Sequence, residues 1–240
     1  MQRFTVEVIS QTPNPQQTIY AAMHQDYAEG FVWNERSDWP PEEKCGDLVI
    51  RNLLKGGRGH YGPLEHPQIV LNCGWLPHST MQQIRTHRVG VSFDVQSFRY
   101  TGARLLDVVT GKRDVEEVFY LRPVGDYSDR QGKKYTYTQD LRQQDIAWCL
   151  EACQRYKSHI DQGFAEEHAR GLIPFDVRQH WVMSANVRAL MHLLDLRWKA
   201  DAQLEAQKLC EVIWPHFQSW VPAIAAWYET TRLKKARLAP

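Results

Sequence analysis

The chain has almost no net charge: 29 Lys and Arg stand against 28 Asp and Glu in 240 residues, a formal charge of +1. Such a balance provides no global field for a nucleic acid polymer or an anionic membrane, so any anion must be bound locally. No run approaches the roughly 18 apolar residues of a membrane span, and Met1 to Val8 lacks an apolar leader core. The expectation is a soluble, cytoplasmic protein. Cysteine is sparse and odd in number: Cys45, Cys73, Cys149, Cys153 and Cys210 fit neither a disulfide framework nor a CxxC metal knuckle. None lies in a nucleophile motif, and Ser97 lacks the GxSxG elbow, so covalent catalysis by the protein is not indicated. Repeats, low-complexity tracts and Gly/Ser/Pro linkers are also missing, which points to one domain over residues 1–240.

Against this plain background, Gln82 to Tyr100 packs Arg85, Arg88 and Arg99 with His87, Gln82, Gln96, Ser97 and Asp94 into nineteen residues. Arginine offers a rigid fork of donors suited to phosphate, and Gln, Ser and Asp can read the edge of a heterocycle. Ile84, Val89, Val91, Phe93, Val95 and Phe98 interleave with them, as in a segment half committed to a core. The reading is a nucleotide or dinucleotide site; the plain alternative is a solvated basic helix end. Nine Trp and ten Tyr also leave rings to line a pocket or subunit interface.

The pattern predicts a strand over residues 3–9, a helix from Asn14-Pro15 to Gly30, and a second from Pro41 to Lys55 ended by Gly56-Gly57. Gln68–Cys73 reads as a buried strand. Ser79 with Gln82 reads as a capping box opening a helix that carries Arg85 and Arg88 on one face. A strand-like stretch follows to Tyr100, then a loop over 104–114 and a strand over Val115–Leu121. Helices are predicted over 135–160, 165–170, 176–196 and 202–227, the last bent at Pro215. Arg232, Lys234, Lys235 and Arg237 read as a solvated tail. Early strands and late helices give an α+β class, with an antiparallel or mixed sheet flanked by long helices.

Gly57-Arg58-Gly59-His60-Tyr61-Gly62 matches GxGxxG by letter but lies between a helix and a strand, the reverse of the dinucleotide context. His60, Glu65, His66 and His87 could be imagined as metal ligands, although Pro63 denies the first three a common helix face. Asn186, Arg188, His192 and Arg197 lie on the predicted late helix, with 188, 192 and 195 on one side. If Trp181, Leu190, Leu193 and Leu194 form its core face, Arg188 and Arg197 are simply exposed. Arg170 precedes an apolar stretch ending in Pro174.

Three ordered motifs resemble the flavin-dependent thymidylate synthase family. They are His60-Tyr61-Gly62-Pro63-Leu64-Glu65-His66; Arg85-Thr86-His87-Arg88 followed by Ser97-Phe98-Arg99-Tyr100; and Asn186-Val187-Arg188-Ala189-Leu190-Met191 followed by Leu196-Arg197. The resemblance implies the family fold, a homotetramer with FAD between subunits, and methylation of dUMP to dTMP. Methylenetetrahydrofolate and NADPH would be co-substrates, and no cysteine nucleophile would be used. It places Arg85, His87, Arg88, Asn186, Arg188 and His192 on FAD. Gln82, Gln96, Ser97, Arg99, Arg170 and Arg197 fall on dUMP, with Arg99 and Arg170 at its phosphate. Arg197 would polarise the uracil and His60 would help place donor or reductant. Thr86 splits the family's Arg-His-Arg triplet, eight residues rather than seven separate Arg88 from Ser97, and His192 stands where the family has Asn. The competing expectations are a noncatalytic nucleotide- or RNA-binding module and a hydrolase with a metal on His60, His66 and His87.

Overall fold

The structure, a computed structural model, describes residues 3–56 and 60–235. In chain order its regular elements are β1 (Thr5–Gln11), α1 (Pro15–Gln25), α2 (Glu42–Val49), β2 (Gln68–Pro77), α3 (His78–Ile84) and β3 (Val91–Val95). Then come α4 (Phe98–Thr101), α5 (Ala103–Val109), β4 (Gly125–Ser128), β5 (Lys134–Tyr137), α6 (Gln139–Asp161) and α7 (Glu166–Ala169). Last are β6 (Arg178–Asn186), α8 (Val187–Arg197), α9 (Leu204–Trp220) and α10 (Pro222–Thr231). A four-stranded sheet runs β1-β2-β6-β3, and β4 pairs antiparallel with β5. The α+β class is therefore as expected from sequence. Among the described residues no helix is long and apolar enough to cross a membrane.

The chain divides into two compact units. One comprises Met1–Phe4, Gly74–Gln83 and Asp94–Trp181; the other comprises Thr5–Cys73, Ile84–Phe93 and Val182–Pro240. The first unit has a core of Phe98, Leu105, Val108, Val118, Phe119, Cys149, Cys153, Tyr156, Ala169 and Val177. Its long helix α6 opens at Thr138, whose hydroxyl accepts the Leu141 N–H, a standard start that satisfies one orphan donor. Gly102 lets α5 approach α6: a Cβ there would fall 2.0 Å from the Tyr156 hydroxyl.

In the second unit, Leu190, Leu193 and Leu194 of α8 and Leu209, Ile213 and Phe217 of α9 are all buried, and the two helices are in contact. Asp195 of α8 has a fully buried side chain, accepts the Tyr228 hydroxyl at 2.9 Å and pairs with Arg232. Gln16, also fully buried, uses its amide oxygen to accept the Ala223 and Ile224 N–H groups, closing the start of α10 behind Pro222.

Several elements differ from the sequence expectation. Asn14 precedes α1 in the left-handed region and makes no side-chain cap. The second helix runs from Glu42 and ends in a π turn, Ile50–Leu54. α3 begins at His78, so Ser79 is inside it; the Ser79 N–H donates to Asp176 and Gln82 bonds His78 rather than closing a capping box. Because α3 stops at Ile84, Arg85 and Arg88 lie beyond it and share no helix face. Residues 103–109 form α5, not a loop, and Val115–Glu117 is a 3-10 turn, not a strand. The predicted helix over 176–196 is strand β6 followed by α8, and residues 134–137 are strand β5. Pro215 sits inside α9 without ending it; the break falls at Val221-Pro222. Arg232 is not a tail residue, since Asp195 draws it to 9% exposure. Gly57, Arg58 and Gly59 of the GxGxxG match, and Arg237, lie outside the described residues.

Candidate functional site

The predicted site residues fall into two sets. His60, Arg85, His87, Arg88, Asn186, Arg188, His192 and Arg197 belong to the second unit; Gln82, Gln96, Ser97, Arg99 and Arg170 belong to the first.

In the second unit, the end of α8 meets the stretch between α3 and β3. Arg197, in the last turn of α8, donates from Nε to His87 Nε2 at 3.1 Å and from Nη2 to Thr86 Oγ1 at 2.9 Å. His87 is 6% exposed, and its ring packs edge-on against His192 with centroids 5.2 Å apart. Because Nε2 accepts, the neutral ring carries its proton on Nδ1, a buried atom without a hydrogen-bond partner. His192 Nδ1 is likewise buried and unpartnered. Burial, then Arg197, then His192 push the His87 pKa down to about 4, so the ring is neutral near pH 7. Burial also lowers Arg197 from its ordinary value, and the Cys210 thiol opposes this.

Asn186 caps α8 through a 2.8 Å bond from the Ala189 N–H, and its own N–H donates to Gly90 at 3.1 Å. Gly90 holds φ +69°. Arg188 is half-buried rather than fully exposed, pairing with Glu65 at 2.6 Å and lying 5.9 Å from the Tyr61 ring centroid. His60 is exposed and bonds Asp26 at 2.7 Å. Arg85 and Arg88 are exposed, with no side-chain partner among the described residues. Among those residues no three His, Cys, Asp or Glu side chains gather as metal ligands would; His60 and His87 are engaged with Asp26 and with His192 and Arg197.

In the first unit, Ser97 caps α4, accepting the Arg99 N–H at 3.4 Å. Arg99 is exposed and stacks over Tyr100, itself 81% exposed. Gln96 donates its N–H to the His180 carbonyl at 2.9 Å, while its amide oxygen is buried without a donor. Arg170 opens a short 3-10 turn and is half-buried. Arg104 was missed from sequence because the surrounding stretch read as a loop. Its guanidinium lies 4.2 Å from the Phe98 ring centroid and donates to the Arg178 carbonyl at 2.8 Å; burial holds its pKa down to about 10. Thr86 and Glu65 were also missed as partners, since nothing in a linear pattern pairs them with Arg197 and Arg188.

A family model described as Thymidylate synthase complementing protein matches residues 7–223. The chain belongs to that family. A flavin-dependent thymidylate synthase of Haloarcula marismortui is 31% identical over 98% of this chain and 99% of its own length. One from Halobacterium salinarum is 30% identical over the same shares. Two solved structures have the same fold. A UMP/dUMP methylase, PolB, from Streptomyces cacaoi, bound with 5-Br dUMP, superposes with TM-score 0.75 at 21% identity, covering 100% of this chain and 98% of that one. Thymidylate Synthase X from Helicobacter pylori, with FAD and dUMP, gives 0.66 at 18%, covering 92% and 99%.

Proposed function

We propose that this family member is a flavin-dependent thymidylate synthase, a methyltransferase that converts dUMP to dTMP with methylenetetrahydrofolate as carbon donor and NADPH as reductant. The observation that carries the reading is the Arg197 guanidinium, half-buried and held by two neutral acceptors at the place the family motif gives to the uracil-facing cation. A fixed positive charge beside the base stabilises an electron-rich, enolate-like form of the ring with negative charge on its carbonyl oxygen, from which C5 attacks without an enzymic nucleophile. All five thiols are buried, which accords with chemistry that does not use them.

The residues fit a flavin on one specific ground: the Nδ1 atoms of His87 and His192 are buried polar atoms lacking partners, suited to the polar edge of a heterocycle. Arg85 and Arg88 offer exposed guanidinium forks for a diphosphate, with Asn186 and Arg188 beside them in the motif. FAD supplies hydride transfer when bound. In the dUMP set, Arg99 and Arg170 meet the phosphate, and Gln82, Gln96 and Ser97 supply polar contacts; the orphaned Gln96 oxygen awaits a donor such as a ring N–H. His60, oriented by Asp26, helps place donor or reductant. We further propose that residues 1–240 act as one domain, supported by a family match running through both units, and that four copies assemble with FAD between them.

The test is the visible spectrum of the purified protein reconstituted with FAD, before and after dUMP, followed by assay for dTMP with methylenetetrahydrofolate and NADPH. A flavin band that shifts with dUMP, together with dTMP formation, is expected. A protein that takes up no flavin would refute the reading and leave the nucleotide-binding module in its place.

A further inference from the structure

Thr86 is the residue that breaks the family triplet, and it is also the residue that holds Arg197 Nη2. The next residue, His87, holds Nε of the same guanidinium through its one accepting nitrogen. Two consecutive residues thus grip one edge of the cation through two of its nitrogens, although they are more than a hundred positions from it in sequence. An arginine side chain carries roughly 2 kcal/mol of rotamer entropy, so a long cation that must act in one orientation gains from being fixed beforehand.

The chemistry of the grip is informative. A carboxylate would orient the guanidinium more strongly but would cancel much of its charge. A hydroxyl and a neutral imidazole orient it without cancelling its charge. The remaining surroundings keep the imidazole in its accepting form: the ring is 6% exposed, and the two groups that face it, Arg197 and His192, carry no negative charge. The helix adds to this, since the guanidinium sits in the last turn of α8, where the carbonyl end of the helix dipole favours a cation.

We propose that Thr86 and His87 are positioning residues for Arg197: in this chain the altered triplet aims the uracil-facing cation, and Thr86 does so in place of a direct flavin contact. The inference rests on the reading of Arg197 given above. It divides the segment by role, with the exposed Arg85 and Arg88 turned to a ligand's diphosphate and the two residues between them bonded to Arg197 of α8. It also explains why an inserted hydroxyl residue is tolerated at a cofactor motif, because the insertion adds an acceptor where the guanidinium has a donor to satisfy.

The experiment compares full-length wild type, Thr86→Val and Thr86→Ser, each loaded with FAD, and adds nitrogen-15 spectra of the histidine rings with and without Arg197→Lys. Thr86 is exposed, so Thr86→Val leaves folding intact. Expected is a fall in kcat of about tenfold or more in Thr86→Val, the loss that goes with one hydrogen bond to a charged group. KM for dUMP and the affinity for FAD should stay within about twofold, with Thr86→Ser returning kcat to within about threefold of wild type. The spectra should show His87 protonated on Nδ1 and its Nε2 resonance shifted by Arg197→Lys. A His87 protonated on Nε2, or a Thr86→Val enzyme that loses FAD affinity while its flavin-loaded kcat is unchanged, would overturn the proposal. Should wild type form no dTMP, the functional reading falls, and the His87 tautomer and its response to Arg197→Lys still decide whether the grip exists.

Discussion

Gly90 and Asn186 occupy the same space: a Cβ placed on Gly90 would come within 2.4 Å of Asn186 Nδ2, while the Asn186 N–H donates to the Gly90 carbonyl at 3.1 Å. The glycine also holds φ +69°, in the left-handed region. Gly90→Ala therefore incurs about 1–2 kcal/mol of backbone strain and displaces the side chain that caps α8, worth about 1 kcal/mol more. Urea unfolding should show a loss near that sum. FAD uptake should weaken in parallel, because Asn186 lies in the motif assigned to the cofactor.

Arg188 separates a structural role from a functional one. Its ion pair with Glu65 joins two side chains about 40% exposed, so Arg188→Ala should change stability by less than about 1 kcal/mol. If it holds flavin, the same substitution raises the FAD dissociation constant about tenfold or more. An unchanged FAD titration would mark Arg188 as surface only.

The His87 shift has a definite sign. The unfolded ring takes a proton near its ordinary value of 6.5, whereas the folded ring does so only at about 4. Between these values the unfolded state binds more protons, so His87 makes stability rise with pH across the window and adds no slope above it. Urea midpoints measured from about pH 4 to 7 should flatten in His87→Gln relative to wild type. A parallel curve for the variant would contradict the burial assigned to the ring.

In the other unit, Gly102→Ala should destabilise by about 1–3 kcal/mol, since its Cβ falls 2.0 Å from the Tyr156 hydroxyl. Tyr156→Phe removes that oxygen but leaves the ring carbon 2.9 Å away, so the double variant should recover only part of the loss. Thermal melts of the four proteins in the cycle measure the coupling.

What sequence could read is what depends on neighbours along the chain or on an ordered set of motifs. Strand β1 follows the alternation of Phe4, Val6 and Val8, and Gly56 with φ +79° ends the second helix as its lack of a side chain allows. The late segment failed for a physical reason: β6 buries Trp181, Met183 and Ala185 two apart, but apolar Val182 between them blurs that period, and α8 follows at once behind Asn186, so the short strand reads as part of the helix. The helix expected to carry Arg85 and Arg88 forms but stops at Ile84, whose carbonyl takes the His87 N–H in a turn, while its start is set by the bond from Ser79 to Asp176, 97 positions away, rather than by a capping box. At the site, the residue types were legible, but their pairing was not. Thr86 looked like an interruption of a motif until α8 brought Arg197 beside it, and Arg232 looked like a solvated tail until Asp195 drew it inward.

The five cysteines carry a consequence for experimental work. Each is buried, and burial pushes Cys45 and Cys153 up to about 11 and Cys73 and Cys149 up to about 12, with Cys210 raised further by the same cause. The thiolate is the form that reacts with maleimides and iodoacetamides, so the folded protein presents those reagents with almost nothing to modify. A single cysteine introduced on the surface would be the one fast-reacting handle. Dyes or spin labels could then be attached without first stripping the native thiols from the interior.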